Sequence, residues 1–272
     1  MERLTVKGLV LRETPVGDND KLLTLLTAER GKMTVSGRGV RSLRSRHMAS
    51  TQQFCYASYT LVKSKSIYPY ISDSELIESF FGLRGNIERL AFASYVCEVA
   101  DHVSVEENGD VDLLRLVLNT LYAASAGKKQ IALIKAAFEL RCAAVLGMCP
   151  DLSCCSVCGV KEAQLFYLDI FEGNLVCPDC MARRPSAEKD ADGDGSSYQP
   201  RGGYQRPVSI VTPEILNAMR YAIGSDIAKF LSFTLTDDAL ISFGDIAERY
   251  LLHQLGCSFR TLEFYKSLSV HD

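Results

Sequence analysis

Hydrophobic positions along the chain follow two different periods, and the change between them falls near residue 80. Before it, short runs rich in β-forming residues cover 5–12, 21–27, 32–36, 54–62 and 67–71, separated by turn-like Gly17-Asp18-Asn19-Asp20, by Glu29-Arg30-Gly31 and by a longer polar stretch. Leu9, Leu11, Leu23, Leu25 and Val35 recur with period-2 alternation and are the candidates for a buried core. Short strands of this kind, with turn signals between them, predict a small β-barrel. Pro69 cannot donate to a ladder, so it belongs at an edge or a bulge.

From about residue 84 the spacing is helical. Over 86–103, Ile87, Leu90, Ala91, Tyr95, Val99 and Val103 fall at helical intervals, and over 111–126 Leu114, Val117, Leu118 and Leu121 do the same. A third helix over 130–146 is stopped by Gly147 and Pro150. Thr212 followed by Pro213 is an N-cap with proline at the first helical position. Further helices are expected over 243–255, ended by Gly256, and over 260–268. The pattern therefore predicts an α+β protein: a barrel over residues 1–80 and a helical domain over 81–272, whose helices bundle together around an insertion at 150–183. Residues 184–207 have almost nothing to bury and read as a flexible segment. The Asp192-Gly193-Asp194-Gly195 run lacks the bidentate glutamate and the leading helix of a calcium loop.

The insertion changes the picture because of its cysteines. Cys155-Ser156-Val157-Cys158 and Cys177-Pro178-Asp179-Cys180 are separated by eighteen residues, the spacing of a four-thiolate zinc site. Two residues between thiolates let a tight turn aim both sulfurs at one ion about 2.3 Å away. Gly159 suits the positive φ such a turn needs, and the intervening residues fit a hairpin carrying the second pair. Rival readings are Cys154 as a ligand with a three-residue spacer, a redox Cys-x-x-Cys, and plain buried thiols. A catalytic deaminase zinc needs a His-x-Glu motif, and none of His47, His102, His253 and His271 starts one. The single cysteines Cys55, Cys97, Cys142 and Cys257 lie in apolar surroundings and read as small core residues.

Charge adds a second candidate. The whole chain is slightly acidic, with a formal net charge of −3, yet Arg30, Lys32, Arg38, Arg41, Arg44 and Arg46 follow one another with no acidic residue between them. A local positive field of this kind suits nucleic-acid phosphates, with Lys63 and Lys65 as an extension. Phe54, Tyr56, Tyr59, Tyr68 and Tyr70 either offer stacking faces or fill the barrel. The alternative is a loop that merely solvates the chain. No P-loop, Rossmann glycine fingerprint or Gly-x-Ser-x-Gly is present, which favours a binding protein over an enzyme. No apolar run approaches the roughly 20 residues of a membrane span, and the first residues lack the apolar segment of a signal peptide, so a cytoplasmic protein is expected.

Barrel, basic loop, helical half and cysteine quartet in this order resemble the RecO family of bacterial recombination mediators. The resemblance rests on Gly8-Leu9-Val10-Leu11-Arg12, Asp18-Asn19-Asp20-Lys21-Leu22-Leu23-Thr24-Leu25-Leu26-Thr27, Gly31-Lys32, Gly37-Arg38-Gly39-Val40-Arg41, the four cysteines and Tyr250-Leu251-Leu252-His253-Gln254-Leu255-Gly256. It implies an N-terminal OB-fold and a helical domain with an inserted zinc ribbon in which zinc is architectural. It further implies a non-enzymatic, nucleoid-associated role: binding single- and double-stranded DNA, annealing complementary strands and, with RecR, promoting RecA loading onto strands coated by single-stranded-DNA-binding protein. The C-terminal tail of that coating protein is implied as a partner of the helical domain. Arg38 and Arg41 match the family's DNA-binding positions, and Arg44, Arg46 and Lys32 join them as neighbours on the same basic stretch. The segment from about 186 to 205 is longer than is usual in the family. A zinc-containing nucleic-acid-modifying enzyme with an OB module is the competing class; annealing that needs neither nucleotide nor divalent metal separates the two.

Overall fold

The computed structural model describes residues 2–63, 65–183 and 207–268. Its contacts divide the chain into two compact units, residues 1–138 with 258–272 and residues 139–257. The division between these two units falls inside one helix. Residues 184–206 of the expected flexible segment lie outside the described residues.

In the first unit, β1 (Glu2–Val16), β2 (Asp20–Thr27), β3 (Gly31–Gly37), β4 (Tyr56–Lys63) and β5 (Tyr70–Glu78) close a barrel in the order β1-β2-β3-β5-β4, the strand order of an OB-fold. All pairings are antiparallel except the β3–β5 seam, where Ser36 faces Tyr70 and Ser36 N–H donates to the Pro69 carbonyl at 2.8 Å. Val6, Val10, Leu23, Leu25, Val35, Ala57, Tyr59, Leu61 and Ile71 fill the interior. Leu23, Leu25 and Val35 are thus core residues as expected. Leu9 and Leu11 are also buried but are not part of that interior cluster, because Val6 and Val10 take the inward positions of β1. Alternation turns Leu9 and Leu11 to the other face of this strand, against which α1 (Ile87–Val103) packs. β5 starts later than the apolar signal and runs through the polar residues 72–75, so Pro69 lies just before it. β4 begins at Tyr56 because Phe54 adopts a left-handed φ of 71°.

Three helices complete this unit. Asn86 caps α1, its side chain accepting from Arg89 N–H, and Asp110 caps α2 (Val111–Ala126) through Leu113 N–H. The unit's last helix, Arg260–Leu268, packs on α1, with Phe259, Leu262 and Tyr265 buried there. The helix Ile131–Val145, α3, carries the unit boundary between Phe138 and Glu139.

The second unit holds a four-stranded sheet in the order β6-β8-β7-β9: β6 (Asp151–Cys155), β7 (Phe166–Asp169), β8 (Asn174–Val176) and β9 (Val208–Val211). The short α4 (Pro178–Ala182), α5 (Pro213–Gly224) and α6 (Asp237–Leu255) belong with it. Thr212 caps α5 through Ile215 N–H. β9 pairs with β7 along its length, so the sheet of the insertion includes a strand from beyond residue 183. Of the helices after Thr212, α5 and α6 therefore share a unit with the cysteines, while α1, α2 and the last helix, α7, share one with the barrel. No helix among the described residues is long and apolar enough to cross a membrane.

Candidate metal centre and nucleic-acid interface

The cysteine centre is assembled by two turns. Cys155 ends β6, and its carbonyl accepts from Gly159 N–H at 2.9 Å while its own N–H donates to the Val160 carbonyl at 2.8 Å. Gly159 has φ +75°, as the reversal after Cys158 requires. The second pair rides on the β7–β8 hairpin, where the Asp169 carboxylate accepts from Phe171 and Glu172 N–H and Gly173 turns the chain at φ +67°. Gly173 also sits under Tyr250: a Cβ there would lie 2.7 Å from the phenol oxygen, which donates to the Met148 carbonyl. Cys177 then precedes α4, with Pro178 in the first turn and Cys180 inside it.

The four ligand sulfurs all lie within 4.8 Å of one another, and Cys158 Sγ and Cys177 Sγ are 3.7 Å apart. A tetrahedral site with metal–sulfur bonds of about 2.3 Å has edges of about 3.8 Å, so the separation is that of co-ligands and far beyond a disulfide. Cys155, Cys177 and Cys180 are buried and Cys158 is exposed, which places the cluster at a surface knuckle. Burial opposes ionisation of Cys155, but the N–H groups of Cys177, Cys158 and Val157 outweigh it and bring the thiol down to about 6. Its partner Cys180 is pushed up to about 12, first by the sulfur of Cys158 and then by burial. A preformed N–H cradle around one thiolate, with three more sulfurs within 4.8 Å, fits a metal ion held by four thiolates. Cys154 points elsewhere, toward Ser153 Oγ at 3.6 Å, and is not part of the cluster. Cys55, Cys97 and Cys142 are buried as expected, and Cys257 is half-buried.

The basic stretch is split by the fold. Lys32 lies on β3 with its ammonium on the Asp101 carbonyl at 2.6 Å and the Asp101 carboxylate at 3.2 Å, so its charge is answered inside the unit. Arg30 lies in the turn between β2 and β3, and the other four arginines lie in the loop over residues 38–53. Its root is tied down by Gly39 N–H to the Asp20 carboxylate at 2.7 Å and by Arg41 N–H to the Asn19 carbonyl at 3.0 Å. Arg38 stacks on the Tyr70 ring, 4.6 Å from its centroid. Arg41 reaches the Gly17 carbonyl, and Arg46 the Ser72 carbonyl and, at 3.6 Å, Asp73. Arg44 extends into solvent beside Leu43, which is 90% exposed. Of the five aromatics, Phe54 and Tyr59 are buried, whereas Tyr68 and Tyr70 remain accessible next to the loop's seam. Along the same seam a groove of about 280 Å³ is lined by Met33, Thr34, Lys63, Ile67, Tyr68 and Arg30, among others.

Sequence reasoning did not find His47, Ser50, Asp73 or Ser74, which stand around Arg46. His47 and Ser74 are 27 positions apart, and only barrel closure makes them neighbours.

Fold and site together define an α+β protein in which an OB-type barrel with an exposed arginine loop is joined to a metal-binding four-cysteine module. Residues 1–80 match the family model for Recombination protein O N terminal, and residues 84–194 the model for Recombination protein O C terminal. The chain belongs to the RecO family. It is similar to the DNA repair protein RecO of Acetivibrio thermocellus, 26% identical over 98% of both chains. The DNA repair protein RecO of Bacillus pumilus is 33% identical over 66% of this chain and 69% of its own length. That of Alkaliphilus metalliredigens is 30% identical over 65% of this chain and 72% of its own.

Proposed function

We propose that the protein is a DNA-binding mediator of recombinational repair with no turnover of its own. Residues 1–80 serve as the nucleic-acid module, and residues 81–272 as the helical domain that carries the metal-binding insertion. The protein holds single- and double-stranded DNA by its phosphates, anneals complementary strands and, with RecR, helps RecA onto strands coated by single-stranded-DNA-binding protein. The tail of the coating protein docks on the helical domain, and the protein works in the bacterial cytoplasm at the nucleoid. The observation that carries this reading is the loop over 38–53: four arginines leave one seam of an OB barrel, exposed to solvent, and among the described residues only Arg46 pairs with a carboxylate. Tyr70 under Arg38 and the exposed Leu43 supply flat and apolar surface for bases beside those charges. Lys32 is a lesser contributor, because its ion pair with Asp101 must open first. The ion at Cys155, Cys158, Cys177 and Cys180 is zinc in this reading, since four thiolates in tetrahedral spacing select it. It shapes the fold and takes no part in chemistry.

The test is the variant Arg38→Ala/Arg41→Ala/Arg44→Ala/Arg46→Ala. Phosphate contacts displace condensed counterions, so single-strand affinity falls with salt by about 0.7 log units per log unit of salt for each phosphate neutralised. The variant is expected to bind all sequences more weakly, with a flatter salt dependence, and to lose annealing in parallel. A variant that binds and anneals like the parent at several salt concentrations overturns the reading.

A further inference from the structure

The arginine loop contains one group whose charge changes near neutral pH, and its surroundings define its protons completely. Ser50 Oγ lies 3.1 Å from the His47 carbonyl and 2.7 Å from Ser74 Oγ, and either hydroxyl can donate in the second contact. One ring nitrogen of His47, Nε2, accepts from Arg46 Nε–H at 3.1 Å. With Nε2 accepting from Arg46, the proton of the neutral ring lies on Nδ1, which donates to Ser74 Oγ at 2.7 Å. His47 is therefore a neutral imidazole with both nitrogens engaged. The ionised groups facing it are Arg46 from its own loop and Asp73 from β5; Ser50, Ser74 and the Tyr59 hydroxyl behind Ser50 are uncharged. Burial and then Arg46 hold its pKa below the usual value, with Asp73 opposing.

A proton arriving at Nε2 meets no acceptor, because a guanidinium has none to offer. Two N–H donors and two positive charges would face each other across about 3 Å, with exposed Asp73 a weak and screened counter-charge. An anionic oxygen between them reverses this: it accepts from Arg46 Nε–H and from Nε2–H together, with one charge answering two.

We infer that Arg46 and His47 form a proton-linked phosphodiester site, in which a backbone phosphate of DNA binds between them and His47 Nε2 takes up one proton. The inference rests on the proposed DNA-binding role of the loop. Binding then raises the His47 pKa. The added affinity is full below the free-state value and is lost as pH rises through the bound-state value.

The experiment measures affinity for a single-stranded oligothymidine, in which neither base nor phosphodiester titrates between about pH 6 and pH 8, at constant salt. Affinity of the parent protein is expected to rise roughly three- to tenfold as pH falls across that window, as one proton taken up allows. The His47→Gln variant, which cannot take up the proton, is expected to lose that rise. In parallel, the imidazole resonances of the parent, with His47 assigned by its loss in His47→Gln, should titrate at higher pH when the oligonucleotide is bound. A His47 titration unmoved by saturating oligonucleotide, or an equal pH dependence in His47→Gln, overturns the inference. The variant Arg38→Ala/Arg41→Ala/Arg44→Ala, which keeps the Arg46–His47 pair, locates the failure. If it binds weakly at about pH 8 while the His47 titration stays unmoved in the parent complex, only the proton linkage falls. If it binds like the parent and the titration is unmoved, the loop is not the DNA site and both readings fall.

Discussion

Two glycines with the same backbone angle meet opposite surroundings. Gly17 and Gly31 both have φ +56°, but a Cβ on Gly17 meets nothing within 4 Å, whereas on Gly31 it would lie 2.2 Å from the Val105 carbonyl oxygen and 2.3 Å from that of Asn108. Gly17→Ala is expected to cost only the left-handed strain, about 1 kcal/mol, whereas Gly31→Ala must also displace backbone and should cost several times more. Thermal denaturation of the two variants checks the order. Lys32 and Arg44 form a similar contrast among cations. Lys32→Met removes a charged hydrogen bond pair from Asp101 and should lower stability by about 1–3 kcal/mol in chemical denaturation. Arg44→Ala should leave stability unchanged while flattening the salt dependence of DNA binding. Equal stability losses in the two variants would contradict this assignment. The six basic residues are one run in the sequence, but their roles separate according to what each side chain meets across the barrel.

At the scale of elements, the helices of the first unit are locally specified: Asn86 and Asp110 each satisfy an otherwise unpaired N–H of the first turn. Asn86→Ala or Asp110→Ala should cost about 1 kcal/mol apiece. The cysteine module, in the proposed zinc-bound form, is expected to depend instead on its ion. Its strands are only three to five residues long, and metal binding supplies on the order of 10 kcal/mol to such folds. Cys155→Ser or chelation should therefore raise amide exchange throughout residues 151–182 and in Val208–Val211, which pairs with β7, with one zinc per chain lost by elemental analysis. Protection that survives in β9 after metal removal would show that the sheet stands without the ion.

For the molecule as a whole, the chain's last helix finishes a unit begun at its first strand. Phe259, Leu262 and Tyr265 are buried against α1, Phe259 and Tyr265 meet the Tyr95 and Phe92 rings, and Glu98 on α1 accepts from Thr261. Burial of Phe259 and Leu262 alone is worth about 3–6 kcal/mol as an upper estimate, a large part of the roughly 5–15 kcal/mol that holds a domain folded. A chain ending at residue 257 should lose the cooperative unfolding transition of the first unit, or show it many degrees lower, even though the barrel sequence is intact. A transition unchanged by this truncation would mean that α7 is a passive appendage.

What the sequence determines by itself is whatever local chemistry specifies. Helices 87–103 and 111–126 were legible within a residue because the helical period of their apolar residues lies inside the segment, and the helix 260–268 falls where it is expected. The cysteine quartet was legible because chelation imposes a spacing, and family membership because short motifs keep their order. Where local signals were polar the boundaries moved: β5 occupies 70–78 instead of 67–71, and the helix expected from 243 begins at Asp237, with charged residues in its exposed first turn. Only the tertiary structure decided which apolar face of β1 lines the barrel, since a strand covered on both sides shows no single buried face. It alone decided that β9 joins the cysteine sheet and that α7 belongs with α1. It also decided that Lys32 answers Asp101 while the nearby arginines remain in solvent, and that His47 meets Ser74. Each of these pairs residues far apart in the chain, and the free energy that selects them comes from burial and hydrogen bonding between segments, of which no single segment carries a sign.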